Sequence, residues 1–109
     1  MATEDIYCEQ IIPKKIDYEV VAETQHVLAF FHTKPSYETH IVVTPKHHVG
    51  DLTEVTNPLG AAEMFQVLNT VIKELKETEG GCRLITNFGK YQDSKHLHFH
   101  VVSGDKING

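Results

Sequence analysis

Apolar and polar positions recur along this chain with two different periods, and the change of period marks its elements. Tyr18-Glu19-Val20-Val21-Ala22-Glu23-Thr24 reads as a strand, and Gln25-His26 as the turn after it. Val27-Leu28-Ala29-Phe30-Phe31 lacks alternation, which predicts a second strand buried on both faces and paired with the first as a hairpin. Thr33 to Glu38, with Pro35 and Ser36, reads as a loop. His40-Ile41-Val42-Val43-Thr44 is β-branched and strand-like, and Pro45 closes it. From Asn57 the period lengthens. Ala61, Phe65, Leu68, Ile72 and Leu75 recur at helical spacing, with Met64 and Val71 widening the stripe. Asn57 can cap that helix, Pro58 suits its first position and Gly80-Gly81 stops it. Met64 and Phe65 are expected in the core. Arg83 to Phe88 reads as a fourth strand, Gly89 to Lys95 as a polar loop, and His96 to Val102 as a fifth strand ending near Ser103-Gly104, with Lys106 to Gly109 as a tail. Ile6 to Ile12, ended by Pro13, and Asp51 to Val55 are short enough only for helical turns. Strands, one helix, then strands, without βαβ alternation, predict an α+β domain with an antiparallel sheet.

Length and charge narrow the classes. At 109 residues the chain is expected to be one domain, 1–109, with a core small enough that pairing with a second copy would help bury surface. A formal charge of −5 argues against gripping a nucleic-acid polymer, though not against a small nucleotide. Met1-Ala2-Thr3-Glu4-Asp5 carries no signal-peptide pattern, and the longest apolar run, Val27 to Phe31, is too short to span a bilayer. Cys8 and Cys82 do not form a disulfide framework. A cytoplasmic protein without membrane contact is expected.

The chemistry concentrates in His96-Leu97-His98-Phe99-His100-Val101-Val102. On a strand, alternate side chains point to opposite faces, so three histidines share one face and Leu97, Phe99 and Val101 the other. Three uses are open. The histidines can be a solvated surface. Two neighbours can bind a metal with ligands from elsewhere, such as Cys8, His47 or His48. All three cannot easily meet on one ion, because i and i+4 lie about 13 Å apart on a strand. Third, a neutral imidazole can attack phosphorus and form a phospho-imidazole, with flanking histidines holding oxygens or helping the leaving group.

The heptad resembles the histidine-triad (HIT) signature, His-φ-His-φ-His-φ-φ, where φ is apolar. The context extends the resemblance over roughly residues 5–103. Val27-Leu28-Ala29-Phe30-Phe31 resembles the family's early strand. His40-Ile41-Val42-Val43-Thr44-Pro45-Lys46-His47-His48 resembles its His-φ-φ-φ-φ-Pro-Lys-x-His segment. Asn87 precedes the loop as in the family, and Gln92 matches its Gly-Gln-Ser/Thr element. The resemblance implies a HIT-like fold: about five antiparallel strands with one long helix and one or two short helical segments, usually dimerised into a continuous sheet. It implies a purine nucleoside monophosphate-type ligand and a homodimer. His98 would attack the α-phosphorus. His100 and Gln92 would hold phosphate oxygens or the leaving group, His96 would support the site, His40 would act behind the nucleophile and Asn87 would contact phosphate. Small size and a third histidine at position 100 are most similar to the Hint branch, whose reaction is hydrolysis of nucleoside 5′-phosphoramidates. Alternatives within the resemblance are a nucleotide-binding module with weak or no catalysis, and a dinucleoside polyphosphate hydrolase.

Several positions depart from the family pattern. His32 stands where an acidic residue usually meets the ribose hydroxyls, Asp93 replaces Ser or Thr, and Tyr91 replaces Gly. Fewer residues follow the triad than the family uses to complete its nucleotide pocket. No cofactor is needed for the implied reaction. Some bacterial members hold a structural zinc through Cys-x-x-Cys and two histidines; the corresponding set here is Asp5, Cys8, His48 and His96.

Overall fold

A computed structural model describes residues 6–107. Its elements are β1 (Val20–Glu23), β2 (Val27–Phe31), β3 (Tyr37–Pro45), helix α1 (Pro58–Glu79), β4 (Arg83–Ile85) and β5 (Phe99–Lys106). The five strands form one antiparallel sheet in the order β1-β2-β3-β5-β4. The expected α+β architecture, five antiparallel strands with one long helix, is therefore the one observed. Among the described residues no helix is long and apolar enough to cross a membrane.

Alternation along the strands builds a core on each face of the sheet. Val27, Ala29, Ile41, Val43, Leu97, Phe99 and Val101 pack with α1 on one side. Leu28, Phe30 and Val42 pack on the other with Tyr7 and Ile11. The unbroken apolar run of β2 is thus explained: it is a central strand covered twice. Tyr7–Ile11 forms a single wide helical turn, closed by Ile12 N–H to the Tyr7 carbonyl at 2.8 Å.

Helix α1 starts and stops where the sequence says. The Asn57 side chain accepts from Leu59 N–H at 3.0 Å, Pro58 opens the first turn, and Gly80 takes a φ of 82°, a left-handed conformation that glycine adopts without cost. Met64, Val67, Leu68, Val71 and Leu75 form the buried stripe. Fully burying such side chains stabilises the fold by about 1.5–3 kcal/mol each. Phe65 corrects the expected core: it is 53% exposed, because the stripe centres on Met64, Leu68 and Val71 and leaves Phe65 one position round the helix.

Strand ends differ from the sequence reading, and each difference has a hydrogen-bonding cause. β1 is shorter than expected, with a register shift between Val20 and Ala22. β3 begins at Tyr37, inside the expected loop, because Tyr37 pairs with Lys106. Between the pairs Tyr37↔Lys106 and Thr39↔Ser103, β5 carries one residue more than β3, a bulge at Gly104. Gly104 has a φ of 80°, and a Cβ there would lie 2.3 Å from Glu38 Oε1. β5 consequently runs on to Lys106, past its expected end.

β4 stops at Ile85 and β5 starts only at Phe99, so residues 96–98 lie beyond the regular ladder. Side chains and a distant carbonyl take over there. Thr86 Oγ1 donates to the His98 carbonyl at 2.9 Å, Thr44 Oγ1 to the Leu97 carbonyl at 2.7 Å, and Leu97 N–H to the Val49 carbonyl at 2.6 Å. The alternation survives the end of the ladder, since Leu97 remains in the α1-side core. Asp51 caps a short turn, Leu52–Glu54, and a second turn, Gly89–Tyr91, interrupts the expected polar loop.

Candidate active site

The face of the sheet opposite α1 carries an array of imidazoles. Ring centroids are 4.5 Å apart for His32 and His40, 5.0 Å for His40 and His100, and 4.9 Å for His98 and His100. Tyr7 stacks on both His98, at 5.0 Å, and His96, at 5.2 Å. β3 and β5 set this spacing: His40 pairs with Val102 and Val42 with His100, so even-numbered residues of both strands share the face.

Hydrogen-bond partners fix the tautomer of each ring. A carbonyl only accepts and a backbone N–H only donates. His98 Nδ1 lies 2.7 Å from the His96 carbonyl, so Nδ1 carries the proton and Nε2 keeps a free lone pair. Ser36 N–H donates to His40 Nδ1 at 3.0 Å, so the proton of neutral His40 sits on Nε2. That proton is donated to His100 Nδ1 at 2.8 Å. Neutral His100 is then protonated at Nε2. Lys34 N–H donates to His32 Nδ1 at 2.9 Å, which makes the His32 Nε2–H a donor as well. His96 Nε2 donates to the Pro45 carbonyl at 2.8 Å, which leaves Nδ1 as the acceptor nitrogen, facing Cys8 Sγ at 3.5 Å.

Burial keeps these rings neutral. It is the first cause in each case, because a low-dielectric surrounding disfavours the charged form. His100 is pushed down to about 3, with His98, His40 and His32 adding repulsion. His40 is pushed down to about 4, with a further contribution from His32. His32 is lowered by burial and by His98. His98 is lowered by burial; the His96 carbonyl pulls it back up, His96 itself pushes it down, and the Asp93 carboxylate raises it. The arrangement presents a bare nitrogen on His98 next to an N–H donor on His100, both uncharged at neutral pH.

A cleft of about 270 Å³ opens beside the array, lined among others by His32, His40, Asn87, Asp93, His100 and Lys106. His98 itself is only 6% exposed. The structure therefore brings together His32, His40, Asn87, Asp93, His98 and His100 from the residues the sequence singled out. Gln92 is placed differently. It is buried, and its side-chain amide donates to the Gly50 carbonyl at 2.6 Å, so it anchors the loop and does not line the cleft. Tyr91 is 69% exposed, with Lys90 over its ring.

His96 faces a second cluster. Cys8 Sγ lies 3.5 Å from His96 Nδ1 and 4.0 Å from His48 Nδ1, and the three ligand atoms all lie within 4.8 Å of one another. Thiolate and neutral imidazole are zinc ligands, and His96 turns its Nδ1 lone pair toward Cys8 while its other nitrogen is fixed by a carbonyl. These three residues fit a metal. Asp5, the fourth expected member, lies outside the described residues. His47 is exposed, and His26 is exposed and bonded to Glu63 at 2.9 Å.

Three site residues escaped the sequence reading. Thr44 and Thr86 hold the main chain of the histidine segment, and Tyr7 covers His96 and His98. Thr44 ends its expected strand before Pro45, while Thr86 falls inside the expected Arg83 to Phe88 strand, next to Asn87. The position of Thr44 was the one available signal. Tyr7 had none, since its segment shows no period.

Comparison with known proteins agrees with this geometry. A sequence model of the HIT domain matches residues 13–107. An uncharacterised HIT-like protein of Helicobacter pylori is 36% identical over 100 residues, covering 90% of this chain and 95% of that protein. A solved HIT family hydrolase from Clostridium thermocellum superposes with a TM-score of 0.80 at 26% identity, covering 100% of this chain and 97% of that one. A hypothetical histidine triad nucleotide-binding protein from Sulfolobus tokodaii gives a TM-score of 0.80 at 28% identity, over 90% of this chain and 67% of that one. With a bare imidazole nitrogen at the middle histidine of an intact triad and a family match over nearly its whole length, the chain belongs to the HIT family.

Proposed function

We propose that the chain is a hydrolase that cleaves nucleoside 5′-phosphoramidates, or a related linkage at an α-phosphate, through a nucleotidyl-histidine at His98. The observation that carries this reading is the fixed tautomer of His98. Its Nδ1 proton is committed to the His96 carbonyl, so Nε2 is free to attack without first losing a proton. The His98 Nε2 lone pair forms a bond to the α-phosphorus as the P–N bond breaks. The amine departs, taking its proton from water. Water then attacks phosphorus, the Nε2–P bond breaks, and the nucleoside monophosphate leaves with His98 restored. His100 donates its Nε2–H to a phosphate oxygen or to the leaving group. His40 holds His100 in the donating tautomer, which makes it a positioning residue. Asn87 lines the cleft and would contact the phosphate group. The names of the hydrolase and nucleotide-binding relatives support the same class of ligand.

The test is mass spectrometry of protein incubated with an adenosine phosphoramidate and quenched without acid. A nucleotidyl adduct on His98, absent in His98→Ala, is expected. Undiminished turnover by His98→Ala overturns the mechanism.

A structural zinc is the second part of the proposal, favoured by the Cys8, His48 and His96 cluster. It would pin the Tyr7–Ile11 turn to the histidine segment through Cys8. Metal analysis of protein prepared without added metal is expected to find zinc, and Cys8→Ser to lose it. Metal-free protein of unchanged thermal stability on zinc addition sinks this part.

A further inference from the structure

The cleft contains a carboxylate that a phosphate-binding site should not tolerate. Asp93 is the sole acid among the residues lining it. Its neighbours in the chain hold it there. Gln92 is buried with its amide on the Gly50 carbonyl, and Ser94 is buried on the other side, which leaves Asp93 as the exposed residue between two inward ones. The nearest cation in sequence is engaged elsewhere, since Lys95 Nζ donates to the Gly89 carbonyl at 2.7 Å. Among the described residues Asp93 makes no hydrogen bond or ion pair. An unpaired carboxylate facing a bound phosphate costs affinity by like-charge repulsion, unless the substrate brings a positive charge to it.

The rest of the cleft has the opposite character. His32 presents an N–H donor, since its Nδ1 is taken by the Lys34 N–H, and Lys106 adds an ammonium group. His100, protonated at Nε2, adds a further donor. A phosphorus atom attacked by His98 carries two substituents besides its free oxygens, the nucleoside and the leaving group. These donors suit the acceptor-rich nucleoside and the phosphate oxygens. Neither of those parts carries a positive charge, so the leaving group is the part of the substrate that can bring one to Asp93.

We infer that Asp93 is a specificity residue that selects a positively charged leaving group, so that the substrates are nucleoside phosphoramidates whose amine carries a second cationic centre, such as an ammonium or guanidinium. The inference rests on the phosphoramidate reading above. Asp93 takes no part in bond making; it pairs with the leaving group's remote charge in the bound state and in the transition state.

The experiment compares kcat/KM for three adenosine phosphoramidates whose leaving amines match in size and carry a cationic, a neutral or an anionic substituent. The wild type is expected to prefer the cationic over the neutral substrate by about fivefold, the scale of one solvent-exposed charge pair. The preference should shrink with added salt. Asp93→Asn should bring the ratio to about one, and Asp93→Glu should keep most of it. Equal use of the three substrates by the wild type overturns the inference while leaving the hydrolase reading intact. A ratio unchanged in Asp93→Asn does the same. Loss of all turnover in Asp93→Asn also overturns it, because the carboxylate would then serve the chemistry itself. Failure of the wild type to cleave any of the three removes the hydrolase reading and this inference together.

Discussion

Acid should slow this protein later, and unfold it sooner, than histidines at their ordinary values would. An imidazole at its ordinary value of about 6.5 is about nine-tenths protonated at a pH of about 5.5, which would slow a histidine nucleophile about tenfold. Burial holds His98 below that value, His40 at about 4 and His100 at about 3. The profile of kcat/KM, which reports the free enzyme, should therefore stay flatter than this down to mildly acidic pH. Asp93→Asn removes a charge that raises His98, so it should move the acid limb to still lower pH. Stability follows the same groups. The unfolded chain takes up protons as pH falls past about 6.5, whereas folded His40 and His100 resist until about 4 and about 3. Their contribution is complete above the unfolded value and is lost as pH falls through that window. At about 1.4 kcal/mol per pKa unit these two rings withdraw several kcal/mol, a large share of the roughly 5–15 kcal/mol that holds a domain folded. Initial rates on a phosphoramidate and urea unfolding, each across the acid range, measure both effects. An acid limb centred at the ordinary imidazole value, with unfolding free energy flat over the same range, would refute the reasoning.

Other changes read other features. Thr86→Val leaves the His98 carbonyl without its side-chain donor and should cost about 1–3 kcal/mol in denaturant unfolding, with a fall in kcat. Gly104→Ala forces a left-handed residue against Glu38 and should lower stability by at least about 1–2 kcal/mol, read as a lower Tm. β4 is an edge strand with Leu84 48% exposed, the place where a second copy would extend the sheet. The parent chain is predicted to sediment as a dimer and Leu84→Lys as a folded monomer; a monomeric parent chain would refute this.

The sequence showed the helix almost to the residue, because Asn57-Pro58 and Gly80-Gly81 are local signals that tertiary packing did not override. The alternation of His96 to Val101 likewise showed which face each side chain takes. Strand ends were less legible. Where β4 and β5 stop depends on Thr44 and Thr86 side chains replacing ladder bonds, and no period reports such a substitution. The start of β3 depended on a bulge at Gly104, remote in sequence. Phe65 was misplaced because two adjacent apolar positions, Met64 and Phe65, fit the helical period almost equally. Of the site, the histidines were legible as a set, but their tautomers were not. These follow from the His96 carbonyl and the Ser36 and Lys34 amides, which have no signature in residue type. Gln92 shows the reverse limit: a motif position can be occupied by the expected residue and still turn away.

The early end of the β5 ladder has a further meaning. A strand hydrogen-bonded through residue 96 would spend its carbonyls on its neighbours. The His96 carbonyl is available to hold the His98 proton because regular pairing has stopped by then. Under the proposed mechanism, strand length is thus a catalytic variable. A redesign that lengthened the sheet by one pair at this corner would gain backbone order and, by claiming that one oxygen, disarm the nucleophile.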